Sequence, residues 1–107
     1  MRHLLLCLLT VLLVFGAAHA EAPEFSVPHG IYHQEFRLWI TSPVEGATIY
    51  YTDDGSDPRT KGMLYGGSLG INGTSVIRAA FLLPDSTWSS VTTASYIFPN
   101  YIIILYF

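Results

Sequence analysis

The chain has 107 residues, with five Lys or Arg against eight Asp or Glu and a net charge of −3 at neutral pH. Mild acidity without a basic cluster excludes the electrostatic footprint of a nucleic-acid binder and the basic face that anionic lipid attracts. This length makes one small domain, and a single cysteine excludes an internal disulfide framework.

Arg2 and His3 precede an apolar run over residues 4–15, broken only by Thr10, and Gly16-Ala17-Ala18-His19-Ala20 follow. This three-part pattern predicts a helical secretory signal peptide over residues 1–20, cleaved before Glu21. The run is shorter than the about 20 residues that span a bilayer, so no stable membrane span is expected after cleavage. Cys7 would leave with the signal. An exported chain without disulfides fits a secreted or cell-surface bacterial protein. The remaining 87 residues keep four basic side chains against the eight carboxylates, a net charge of −4.

Residues 21–24 read as a linker. Phe25 and Val27 alternate before Pro28 and Gly30 interrupt, as in a broken edge strand. Phe36, Leu38 and Ile40 alternate with Arg37, Trp39 and Thr41, which predicts a strand with its aliphatic set inward. Residues 42–46 form a turn in which Gly46 permits a positive φ. Residues 48–52 are the next strand, with Ile49 and Tyr51 on one face and Tyr50 on the other. A polar loop follows over residues 53–62. Two short strands, 63–65 and 69–71, flank Gly66-Gly67. Asn72-Gly73 predicts a tight type I′ hairpin. Residues 75–82 form a strong strand with Ile77, Ala79 and Phe81 facing one way. A loop over 84–90 leads to the last strand, 91–98. No window outside the signal has helical periodicity. About seven short strands in so small a chain predict an all-β fold, and the apolar count calls for a two-layered β-sandwich.

Three further groups of residues invite chemistry. Asp53, Asp54 and Asp57 share a loop, as calcium ligands do. Their spacing is not that of an EF-hand, and Asp side chains also fix turns by accepting backbone N–H groups. His29 and His33 are four apart, roughly 13 Å along an extended strand, too far to share a metal. No Gly-x-Ser-x-Gly elbow occurs. Glu35 and Glu45 lie on or near turns, and a chain this small hardly forms the cleft that two glycosidase carboxylates flank. No catalytic residue, metal or cofactor is expected, and so no enzyme. Asn72-Gly73-Thr74 also fits an N-glycosylation acceptor, although the hairpin reading takes precedence in a bacterial chain.

From about residue 22 to residue 98 the sequence resembles the fibronectin type III-associated domain, also described as the chitobiase/β-hexosaminidase C-terminal-type repeat. The matching pieces begin with Pro23-x-Phe25-Ser26-x-x-x-Gly30-x-Tyr32. They continue with Pro43-x-x-Gly46-Ala47-Thr48-Ile49-Tyr50-Tyr51-Thr52 and Asp54-Gly55-Ser56-Asp57-Pro58. Leu64-Tyr65, Ile77-Arg78-Ala79-Ala80-Phe81 and Ala94-x-Tyr96-Ile97-Phe98 complete them. The resemblance implies an immunoglobulin-like β-sandwich over residues 21–98. It also implies a non-catalytic accessory role in a larger multidomain surface protein: spacing, adhesion, or holding a neighbouring domain near polysaccharide.

Three departures from that pattern stand out. Leu82-Leu83-Pro84 replaces the usual polar, basic turn and puts an apolar pair near the surface. Gly67-Ser68-Leu69-Gly70 weakens the middle strand. Residues 99–107 end in seven consecutive apolar residues, Tyr101-Ile102-Ile103-Ile104-Leu105-Tyr106-Phe107. That tail reads as a truncated or out-of-frame end, or alternatively as an extra strand or contact patch.

Trp39, Tyr50 and Trp88 are the candidate contact residues for carbohydrate or a partner. A hairpin closed by residues 43–46 would set Trp39 opposite Tyr50 as an outward aromatic pair. The immunoglobulin-type connection instead crosses between sheets and sends the two to opposite faces. The resemblance favours the crossing.

Overall fold

The computed structural model describes residues 21–99. The expected signal peptide and the apolar residues 101–107 lie outside the described residues. The fold is all-β. Its strands are β1 (Glu24–Phe25), β2 (Gly30–Ile31), β3 (Phe36–Leu38), β4 (Ile40–Thr41), β5 (Thr48–Thr52), β6 (Met63–Leu64), β7 (Leu69–Ile71), β8 (Ser75–Leu82) and β9 (Thr92–Ile97).

Five strands form one sheet in the order β2-β9-β8-β5-β6. Its centre is β8, at eight residues the longest of these strands. β8 pairs antiparallel with β5, Tyr50 opposite Ala80, and with β9, Ile77 opposite Ala94. β2 is the parallel edge. The remaining strands make two short antiparallel ladders, β1 with β4 and β3 with β7.

The predicted strand over residues 36–41 is divided at Trp39, and the division has a local cause. Ser26 N donates to the Trp39 carbonyl at 3.0 Å, and Trp39 N donates to Ser26 Oγ at 2.9 Å. A side-chain oxygen thus replaces the next ladder acceptor, and the chain passes from the β7 ladder to the β1 ladder without losing a backbone bond.

The ladders and the sheet share one core. Leu38, Ile40 and Ile71 from the ladders pack with Ile77, Ala79, Ala94 and Tyr96 from the sheet. Leu38, Ala79 and Tyr96 have no exposed surface. The period-two reading holds, since Arg37, Trp39 and Thr41 are exposed where Leu38 and Ile40 are buried. At one end Phe36 packs on Tyr32, Tyr96 and Phe98, with ring centroids 4.8–6.1 Å apart. Two tyrosines reach across with their polar tips: Tyr96 Oη donates to the Val27 carbonyl at 2.7 Å, and Tyr65 Oη accepts from Ile40 N at 3.0 Å.

Two connections differ from expectation. Asn72-Gly73 does not close a hairpin, because β7 pairs with β3 and β8 with β5 and β9. The segment crosses between the layers, and neither residue adopts the positive φ that a type I′ turn requires. The polar loop over residues 53–62 contains one helical turn, α1 (Pro58–Lys61). Asp57 caps it, accepting Arg59 N at 2.9 Å, and Pro58 sits where its missing N–H costs nothing. The crossing of residues 42–47 between layers agrees with expectation: β5 pairs with β8 and β6, and β3 and β4 do not. Gly46 has the expected positive φ, 84°.

Ile77→Ala should lower the unfolding free energy by about 2–5 kcal/mol in denaturant titration, the usual loss for emptying a closed core site. A neutral result would contradict the packing of β8 against the ladders. Gly46→Val should cost more than about 1 kcal/mol in the same assay through its left-handed φ alone, since its Cβ would meet only Pro84 Cγ, at 3.8 Å.

Burial pushes the Tyr96 phenol up to about 12, with Tyr32 adding to the shift. Folding therefore favours the neutral phenol. That contribution is complete below the unfolded value near 10 and is lost as pH rises through 12. Alkaline unfolding of the wild type should steepen between pH 10 and 12, and Tyr96→Phe should flatten that limb while costing about 1 kcal/mol at neutral pH. An identical alkaline limb in both proteins would show that Tyr96 does not control it.

Candidate functional site

The structure sets Trp39 apart from the other two candidate aromatics and brings Tyr50 and Trp88 together. Trp39 lies on the ladder layer at the break between β3 and β4, with 54% of its surface exposed. Tyr50 lies on the opposite layer, on the outer face of the five-stranded sheet. Its ring meets not Trp39 but Trp88, edge to face, with centroids 5.5 Å apart and planes at 65°.

Local bonds carry Trp88 to that position. Ser86 N donates to the Leu83 carbonyl, Leu83 N to Thr87 O and Ser89 N to Phe81 O, folding residues 83–89 back onto the end of β8. Asp85 holds the turn by accepting Thr87 N at 3.1 Å and Thr87 Oγ1 at 2.7 Å, and these bonds draw its carboxyl below the ordinary value. Ala80, the register partner of Tyr50, is fully buried. The helical turn α1 covers more of the same face with the buried Pro58. Gly62 closes it, since a Cβ there would lie 2.2 Å from the Pro58 carbonyl oxygen and 2.9 Å from Tyr50 Cβ. Tyr50 and Trp88 are therefore half-buried in a packed patch whose outermost member is Leu64, 65% exposed.

The acidic loop is held by its own carboxylates. Asp54 Oδ1 accepts Ser56 Oγ at 2.6 Å and Ser56 N at 3.0 Å, which lowers its pKa. Asp57 accepts Arg59 Nη2 and Nε besides its cap bond, and the Arg59 side chain with Arg59 N draws it down to about 2. Thr52, 2% exposed, donates to the Ser56 carbonyl at 2.7 Å. Arg78 reaches Gly55 O and Thr93 Oγ1 and ties the loop to the sheet. Among the described residues no three His, Cys, Asp or Glu side chains gather as metal ligands. His29 and His33 are both exposed near β2. No helix among the described residues is long and apolar enough to cross a membrane.

One feature escapes sequence reasoning. A cleft of about 530 Å³ opens beside β7, lined by Tyr51, Asp53, residues 68–72 and the start of β8. Glycines at 66, 67 and 70 hint at thin walls, but period two along β7 does not say which of its edges is free.

With this arrangement in hand, the comparison with known families is decisive on one point. The family model described as Fn3 associated matches residues 38–96, more than half of the chain. The chain belongs to the Fn3-associated family. The match spans β3 to β9 and takes in Trp39, Tyr50 and Trp88, the acidic loop and the cleft. It begins after the Pro23 to Tyr32 segment. No curated protein and no solved structure matches the chain.

Proposed function

We propose that the Fn3-associated domain over residues 21–98 is a non-catalytic accessory module, an immunoglobulin-like β-sandwich carried outside the cytoplasm. In this reading it is one part of a larger multidomain surface protein, where it spaces neighbouring domains, aids adhesion, or keeps a partner near cell-surface polysaccharide. The family match over residues 38–96 carries the proposal. The physical chemistry of the domain agrees with it. Asp54, Asp57 and Asp85 accept hydrogen bonds from their own turns, and Tyr65 and Tyr96 spend their hydroxyls on the backbone across the core.

A second reading, carbohydrate binding, is favoured by Trp39 alone, whose ring is more than half exposed on an otherwise polar strand face. Pull-down against chitin, cellulose and peptidoglycan separates the two. The accessory reading expects no retention on any of the three above an inert-protein control. Retention that disappears in Trp39→Ala would replace it with the carbohydrate reading.

A further inference from the structure

Two loops of the chain carry an acidic or amide side chain directly before a glycine, at Asp54-Gly55 and Asn72-Gly73. Both pairs have the atoms for ring closure. The glycine nitrogen can attack the side-chain carbonyl carbon of the residue before it, and a glycine has no Cβ to block the approach. The structure treats the two pairs differently.

Asp54 is held. Its Oδ1 accepts Ser56 Oγ at 2.6 Å and Ser56 N at 3.0 Å. Gly55 has a φ of 84°, and its carbonyl accepts Arg78 Nη1 at 3.3 Å. The backbone at Asp54 also pairs with Val76 of β8. Turning the carboxyl onto Gly55 N would break the Ser56 bonds, which already satisfy it locally.

Asn72 is not held. It is exposed on the crossing between β7 and β8. Among the described residues, neither its carboxamide nor the Gly73 N–H has a hydrogen-bond partner. A Cβ added at Gly73 would meet nothing within 4 Å, so no neighbour restrains the reacting peptide. The anchors lie to either side: Ile71 is buried in the core, and Ser75 Oγ donates to the Gly73 carbonyl at 2.7 Å.

We propose that Asn72 is a site of spontaneous succinimide formation in the folded domain, and that Ser56 and Arg78 protect Asp54 from the same chemistry. The Gly73 nitrogen gives its proton to hydroxide and bonds to Asn72 Cγ. The Cγ–Nδ2 bond breaks, and Nδ2 takes a proton from water and leaves as ammonia. Water then opens the ring. Breaking the new Cγ–N bond gives aspartate. Breaking the bond from Gly73 N to the Asn72 backbone carbonyl carbon gives isoaspartate, whose main chain runs through Cβ and Cγ. Either product brings a carboxylate to the cleft that Asp53 already lines. Isoaspartate also lengthens the crossing by a methylene directly after Ile71, which seats β7 in the core and pairs with Phe36 of β3. The proposal does not rest on the accessory-module reading, and the pull-down result leaves it untouched.

The test incubates the full chain in warm, mildly alkaline buffer, folded and in guanidinium, until the unfolded sample shows both products. Tryptic mass spectrometry with fragmentation then locates isoaspartate. Residues 62–78 form one peptide in which Asn72 is the only Asn or Asp, and residues 38–59 form another that contains Asp54. Asn72 should keep its unfolded rate in the folded chain to within about fivefold, and Asp54 should be slowed by more than that. A larger slowing of Asn72 overturns the site, and a smaller slowing of Asp54 overturns the protection. In purified reacted chain, amides of residues 69–71 should exchange hydrogen faster than in unreacted chain, with residues 77–81 unchanged. Equal exchange at 69–71 overturns the effect on the β3–β7 ladder.

Discussion

Two phenolic hydroxyls set the spacing and register of the layers. The Tyr96 ring is fully buried and the Tyr65 ring packs, partly buried, against the same core, where an unpaired hydroxyl would be costly. Each hydroxyl therefore finds a backbone group on the facing layer: Tyr96 the Val27 carbonyl, Tyr65 the Ile40 N–H. Those groups stand where the ladders are thinnest, just past the two-residue β1 and at the start of the two-residue β4. The core thus supplies hydrogen bonds at points where neighbouring strands do not, and sliding either layer would strand both a hydroxyl and a backbone group. Thr92 Oγ1 repeats the device at the surface by donating to the Pro23 carbonyl at 2.6 Å.

This arrangement divides the domain into a strong layer and a dependent one. The five-stranded sheet is continuous through eight residues of β8 with six of β9 and five of β5. The facing ladders have strands of two or three residues, too short to persist unaided in water. They hold because Leu38, Ile40 and Ile71 are seated on the sheet, and because Ser26 bridges the break at Trp39. Local opening should therefore begin in the ladders and leave β8 protected.

The sequence was most legible where one residue type or a short-range period decides the outcome. Residues 75–82 form β8 as expected, with Ile77, Ala79 and Phe81 buried, and the inward set on residues 36–40 holds because alternation is a property of the strand itself. Gly46 takes a positive φ because its turn demands one. Misreadings arise where partners distant in sequence choose between local options. Asn72-Gly73 satisfies hairpin chemistry, yet β7 is committed to β3 through Phe36 opposite Ile71, so the segment becomes a crossing. The α1 turn has a cap and a proline start but only four residues, too few to register as a period. Ala80 faces away from the core and is nonetheless fully buried, because Tyr50, Trp88 and the Pro58 turn cover a face that alternation alone assigns to solvent. Which aromatics would meet was equally hidden, since it depends on the strand order β8-β5 and on the fold-back at residues 83–89.

The separation of the aromatics bears on how this surface is used. A sugar ring is best held against an aromatic face that is open and already fixed in place. Tyr50 and Trp88 do not present such a face together: their planes stand at 65°, each ring is half-buried, and their contact completes the cover over Ala80 and Pro58. Their first role is packing, so truncating either should disturb the sheet before it disturbs a ligand. Trp39 differs. Its backbone is pinned on both sides by Ser26, and its ring stands at a strand break with more than half its surface in water. A side chain anchored by its backbone and left open at its ring is, among the described residues, the one aromatic whose exposure the packing of the domain does not account for. Contact with something outside the domain, whether glycan or neighbouring protein, is therefore best sought at Trp39.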